Sequence, residues 1–99
     1  MATSTIKKSA GISPQIVLIE HNYTINANST YNTNLKTLVD NNMPNGHHFG
    51  GLCGYASNNV QVLTTNFGYY DSAYSLQLAN RGSSQASNMF RIFFIAIPD

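Results

Sequence analysis

Three side chains with ligand or nucleophile chemistry crowd into the stretch NGHHFGGLCGY, residues 45–55: His47, His48 and Cys53, the single cysteine of the chain. An imidazole and a thiol this close together are the raw material of a zinc site or of a Cys–His nucleophilic pair. The spacing serves neither. Adjacent residues of a strand point to opposite faces, so His47 and His48 cannot chelate one metal, and no second Cys or His pair stands at zinc-site spacing. Cys53 follows the alternation of Phe49, Gly51 and Tyr55 rather than that of His48, and is expected as a buried thiol in a glycine-rich strand. His21 is a further candidate partner for the thiol, but no sequence feature brings the two together. Gly50, Gly51 and Gly54 are expected to allow a bulge or a close backbone approach.

Carboxylates are scarce: Glu20, Asp40, Asp71 and Asp99 are all there are. Glycoside hydrolysis needs two of them facing each other across the scissile bond, and only Glu20 and Asp71 stand where they could. Both read more simply as surface residues, with Asp71 holding a turn, so no enzyme activity, cofactor or metal is expected. A binding chemistry is better supplied. The run FGYYDSAYS, residues 67–75, gathers Tyr69, Tyr70 and Tyr74 around Asp71. Aromatic rings offer flat apolar faces to the C–H side of a sugar, while Asp and Asn accept its hydroxyls. Tyr74 alternates with Leu76 and Leu78 and is assigned to the core, which leaves Tyr69 and Tyr70 as loop aromatics. With Asn58 and the loop histidine His47, the candidate ligand-binding set is Tyr69, Tyr70, Asp71, Asn58 and His47.

What must position these residues is a chain of 99 residues, enough for one domain with one core. Charged residues make up 9% of it, against a usual share of about 25%. Polarity comes instead from Asn, Ser and Thr, with Asn dense over residues 22–45. Such a surface hydrogen-bonds with little electrostatic repulsion, which suits contact with copies of itself or with neutral polar ligands such as sugars. Lys7, Lys8, Lys36, Arg81 and Arg91 are scattered, so a nucleic-acid backbone is not an expected partner. A lone cysteine makes no internal disulfide. The apolar run at residues 16–19 is too short for a secretion signal, and residues 89–97 are too short to span a bilayer and include Arg91. The sequons at Asn22 and Asn28 reflect the Asn/Thr-rich composition.

The elements follow from pattern. Residues 1–14, polar and closed by Pro14, read as an N-terminal arm, and residues 15–99 as the folded domain. A strand over residues 16–25 ends in the turn NANS, and TYNTNL predicts a second strand with Tyr31, Thr33 and Leu35 on one face. Leu35, Leu38 and Val39 lie at helical spacing before Pro44, which predicts the one short helix. Further strands are expected over about 48–56, 60–66, 74–80 and 88–97, separated by Asn58-Asn59, by the segment around Gly68 to Ser72, and by NRGSSQAS. The spacing points to an all-β antiparallel sandwich or barrel.

The last strand carries most information. Alternation puts Phe90, Ile92, Phe94 and Ala96 on one face and Met89, Arg91, Phe93, Ile95 and Ile97 on the other. Both faces are apolar, whereas a half-solvated strand shows polar residues on one side. So small a domain has no second layer to offer, so the second face is expected to meet another subunit.

Taken together, MATSTIKK, ANSTYNTNL with NNMPNG, FGGLCGYASNN, YSLQLAN and the terminal FRIFFIAIP span most of the chain. The whole resembles small tail-associated proteins of phages and prophages from Gram-positive hosts, and more loosely the head domains of their trimeric receptor-binding proteins. The resemblance implies a jelly-roll-like β-sandwich, a homotrimer, binding to host cell-surface saccharide, and other tail proteins as possible partners. It places the protein in the virion tail, or in the host cytoplasm during assembly. A structural component that trimerises and caps a larger particle is the alternative reading.

Overall fold

The computed structural model describes residues 13–99; most of the expected arm, residues 1–12, lies outside them. Six strands and one helix follow in the order β1 (Gln15–Ile25), β2 (Thr30–Thr33), α1 (Leu35–Asn41), β3 (His47–Ala56), β4 (Val62–Phe67), β5 (Leu76–Asn80) and β6 (Ala86–Pro98). They form two antiparallel three-stranded sheets: sheet A, ordered β1-β6-β3, and sheet B, ordered β2-β5-β4. The chain crosses between the sheets at every connection except β4 to β5, so that β1 pairs with β6 and, inside it, β2 with β5. This nested winding is that of a jelly roll, with three strands in each sheet instead of four. The expected all-β sandwich with one short helix is what forms.

β6 is the centre of sheet A because it is the strand that tolerates burial on both sides. Its eleven-residue register with β1 runs unbroken from Gln15 opposite Ala96 to Ile25 opposite Ala86. Phe90, Ile92, Phe94 and Ala96 are fully buried and meet Leu76 and Leu78 of β5, with Ile19, Tyr23 and Ile25 of β1 closing the core. At about 1.5–3 kcal/mol for each large apolar side chain withdrawn from water, this layer dominates the stability of the fold. The short helix covers one end of it with Leu35 and Val39, an i, i+4 pair that is fully buried. Asn34 caps the helix by accepting from the Thr37 N–H at 3.1 Å, and the buried Ser75 hydroxyl accepts from the Leu35 N–H at 2.7 Å.

β3 departs from simple alternation. Bulges between Phe49 and Gly51 and between Leu52 and Gly54 insert one extra residue each, and Gly51 and Gly54 take φ of 141° and 148°. Phe49, Leu52 and Tyr55 therefore all oppose core residues of β6, three residues apart instead of two. Cys53 is displaced by the second bulge and its thiol is exposed, which corrects the expectation of a buried cysteine. Tyr74 corrects a second expectation: it is 59% exposed, because β5 begins only at Leu76 and the preceding turn releases it from the strand alternation.

The two outer faces differ in character. Sheet B shows Thr30, Asn32, Thr65 and Gln77 to the outside together with the half-exposed Leu63, and the Thr65 hydroxyl donates to Gln77 Oε1 at 2.9 Å. Sheet A shows Ile16 and Leu18 beside Ile95 and Phe93, with Ile97 lying over Gly50, where a Cβ would come within 2.6 Å of it. Ile16 is 72% exposed and Leu18 47%. The outer face of β6 is thus half-covered by this chain's described residues. Arg91 finds its acceptor in Glu20 of β1, at 3.3 Å. No helix among the described residues is long and apolar enough to cross a membrane.

Candidate functional site

The loop between β4 and β5 carries the aromatic cluster. It is closed at its base by the Gly68 N–H donating to the Ser75 carbonyl at 2.9 Å. The Ser75 N–H and hydroxyl both donate to the Ser72 carbonyl, at 3.1 and 2.9 Å. Because the Ser75 hydroxyl also receives the first N–H of α1, loop and helix are one unit. Asn34 strengthens the join, capping the helix with its carbonyl oxygen while its Nδ2 donates to Asp71 Oδ1 at 2.7 Å.

Tyr69 and Tyr70 are adjacent in sequence and opposite in circumstance. The Tyr69 ring stacks on Phe49 with centroids 3.7 Å apart and planes 9° from parallel. Lys36 Nζ stands 5.4 Å from its centroid, and with Phe49 against one face the cation must occupy the other. The Tyr69 hydroxyl donates to Asp40 Oδ1 at 2.5 Å, while Asp40 Oδ2 accepts from Lys36 at 2.6 Å. The bond from Lys36, seconded by that from Tyr69, holds the Asp40 carboxyl below the usual carboxylate range. The same contacts with Asp40 raise both the Tyr69 phenol and the Lys36 ammonium. Tyr69 therefore has one ring face covered by Phe49 and a cation near its ring. Its place is structural, locking the loop to α1 and β3.

Tyr70 is 43% exposed. One side of its ring rests on Gly68, where any Cβ would come within 2.7 Å of the ring, so a glycine is what lets the tyrosine lie down. Its hydroxyl accepts a hydrogen bond from Asn66 Nδ2, which also donates to the Tyr74 carbonyl at 2.9 Å. The result is an aromatic platform held at both ends, with exposed Tyr74 and Asp71 beside it in the loop. Asp71 is exposed and keeps acceptor capacity beyond its bond from Asn34.

The other two candidates stand apart. His47 begins β3 opposite Pro98, and Asn58 follows the end of β3, so roughly 30 Å of strand separates them. Asn58 accepts from Asn88 Nδ2 of β6, tying the β3–β4 loop to sheet A. His47 Nδ1 donates to the Asn45 carbonyl at 2.9 Å, leaving a buried Nε2 without a partner. His48 points the other way, as adjacent strand residues must, and meets the Asp99 carboxylate at 2.8 Å. Among the described residues no group of three His, Cys, Asp or Glu side chains could hold a metal. Glu20, on the outer face of sheet A, shares no partner with Asp71 in the β4–β5 loop.

The site as built thus consists of Tyr70, Asp71 and Tyr74, supported by Asn66, Gly68 and Asn34. Sequence reasoning named the first two for it and missed the supports. Asn34 had a legible signal, an Asn directly before the helical pattern that starts at Leu35. Asn66 had none, because its partners are a tyrosine hydroxyl and a carbonyl that only the folded loop brings near. No protein family, curated protein or solved structure matches the chain.

Proposed function

We propose that the chain is a tail-associated binding module of a phage or prophage that assembles as a homotrimer and recognises saccharide at the host cell surface. The observation that carries the reading is the Tyr70 platform: a 43% exposed ring seated on Gly68, its hydroxyl held by Asn66, with the exposed Asp71 next to it in sequence. A sugar would lay its C–H face on the ring and donate hydroxyls to Asp71, at little entropic cost because the loop is already pinned. One exposed ring binds weakly, and three presented together gain by avidity. The apolar outer face of sheet A supports assembly, since Phe93, Ile95 and Ile97 are only half-covered by the described residues and Ile16 and Leu18 beside them are exposed, whereas the outer face of sheet B is mostly polar. Virion tail, or host cytoplasm during assembly, is the corresponding location.

The test is binding of the assembled protein to cell-wall saccharides on a glycan array. Wild type and Tyr69→Phe should bind alike, and Tyr70→Ala should lose binding. A wild-type protein that binds no glycan removes the saccharide reading. The same apolar face favours a second reading, a structural component that trimerises and caps a larger particle; co-purification with tail proteins in the absence of glycan binding would support it.

A further inference from the structure

Away from the aromatic loop, the outer face of sheet B holds a hollow of about 240 Å³ lined by Asn28, Ser29, Thr30, Ala79, Asn80 and Arg81. Its origin is a small residue in a row of larger ones. Thr30 of β2 and Leu63 of β4 pair with Ala79 of β5 from either side, and the methyl group of Ala79 leaves the floor low between them. Arg81, just past the end of β5, lines the same hollow.

The walls are fixed by the backbone. The Asn80 N–H donates to the Ser29 carbonyl at 2.8 Å, Asn28 donates to Gly82 at 3.1 Å, and Arg81 donates to Gln61 at 2.7 Å. Asn28 holds a left-handed φ of 53°, a conformation that Asn tolerates better than most residues. Beneath them the Asn80 side chain is buried and fully engaged, with its Nδ2 donating to the carbonyls of Ile25, Asn26 and Ser84 and its Oδ1 accepting from Gly82. The hollow is therefore preorganised, not a gap between mobile loops.

Its charge is uncompensated. Among the described residues Lys36 is paired with Asp40 and Arg91 with Glu20, while Arg81 has no carboxylate partner. No acid lines the hollow. The guanidinium presents a planar fork of N–H donors, and the Thr30 hydroxyl and Asn28 amide add neutral donors that make no side-chain hydrogen bond within the described structure.

We propose that this hollow is a binding site for an anionic oxygen group, phosphate or carboxylate, with Arg81 as its counter-charge and Asn28 and Thr30 as its neutral donors. It lies at the opposite end of β5 from the Tyr70 loop, about 16 Å along the strand. The proposal stands whether or not the protein binds saccharide at that loop.

Titration of the full chain, followed by two-dimensional amide NMR at constant ionic strength, tests it with inorganic phosphate, acetate and neutral glucose as probes. Phosphate should give saturable shifts at the amides of Asn28, Ser29, Thr30 and Arg81, acetate the same pattern more weakly, and glucose none there. Arg81→Gln should weaken phosphate binding at least ~10-fold, whereas Arg81→Lys, which keeps the charge and loses the fork, should fall in between. Arg81 is exposed, so both variants are expected to fold, and their amide spectra report that directly. Absence of saturable shifts at these four amides, equal affinity in Arg81→Gln, or the same shifts from sodium chloride overturns the proposal.

Discussion

Asn80 shows how much one polar side chain can hold. It is 1% exposed and joins the end of β1, the end of β5 and the β5–β6 turn through its amide, with Gln61 adding a contact from the β3–β4 side at 3.3 Å. Removing it strands several buried carbonyls without donors, so Asn80→Ala is expected to cost about 2–4 kcal/mol in urea denaturation. Asn80→Asp should be at least as damaging, because it turns a carboxylate oxygen toward those carbonyls. His21 matters differently. Its Nε2 lies 2.7 Å from the Tyr31 hydroxyl, joining sheet A to sheet B, and burial lowers its pKa from 6.5. The folded state then binds a proton less readily than the unfolded chain does. Its contribution to stability is complete above the unfolded pKa and is lost as pH falls toward the lowered one. The urea midpoint should therefore decline as pH falls below 6.5, and decline less in His21→Gln.

At the level of the element, β3 is the strand that departs from the period of two. Its core contacts at Phe49, Leu52 and Tyr55 depend on two bulges, and each bulge contains a glycine at a φ that side chains rarely adopt. Neither Gly51 nor Gly54 has a neighbour that an added methyl would strike, so the cost of replacement is conformational. Gly51→Ala and Gly54→Ala should each destabilise by about 1–3 kcal/mol, measurable by thermal or urea unfolding. Gly50→Ala tests a different mechanism, since its φ is ordinary and its Cβ would meet Ile97 at 2.6 Å. There the penalty is steric, and shortening Ile97 to Val or Ala should relieve part of it in a double-mutant cycle.

For the molecule as a whole the decisive question is what covers the outer face of sheet A. Ile16, Leu18, Phe93, Ile95 and Ile97 form an apolar strip whose neighbouring charged groups among the described residues, Glu20 with Arg91 and His48 with Asp99, are paired within the chain. A face without net charge can meet its own copy without like-charge repulsion. Under the oligomer reading, light scattering of wild type at micromolar concentration should find a species larger than a monomer. Phe93→Asp should give monomer or insoluble protein, because it puts an unpaired charge into a dry contact. A wild-type monomer would defeat the oligomer and, with it, the avidity on which saccharide binding depends; the anion site at Arg81 would be untouched.

Alternation and turn chemistry in the sequence by themselves determined the strands, the short helix before Pro44 and the two apolar faces of β6, because those features depend on neighbours a few residues apart. They also marked Tyr70 and Asp71 as loop residues. Tertiary structure decided the rest. Whether Cys53 is buried depends on bulges whose register is set by β6, some forty residues away in sequence. Whether Tyr69 or Tyr70 offers a ring depends on Phe49, Lys36 and Asp40, which reach Tyr69 only when β3 and α1 pack against the β4–β5 loop. The separation of His47 from Asn58 likewise follows from the length of β3, and Asn80 reads as one more polar turn residue until three segments close around it. Local pattern reports what a side chain is suited to; which partners reach it is set by contacts between residues far apart in the chain.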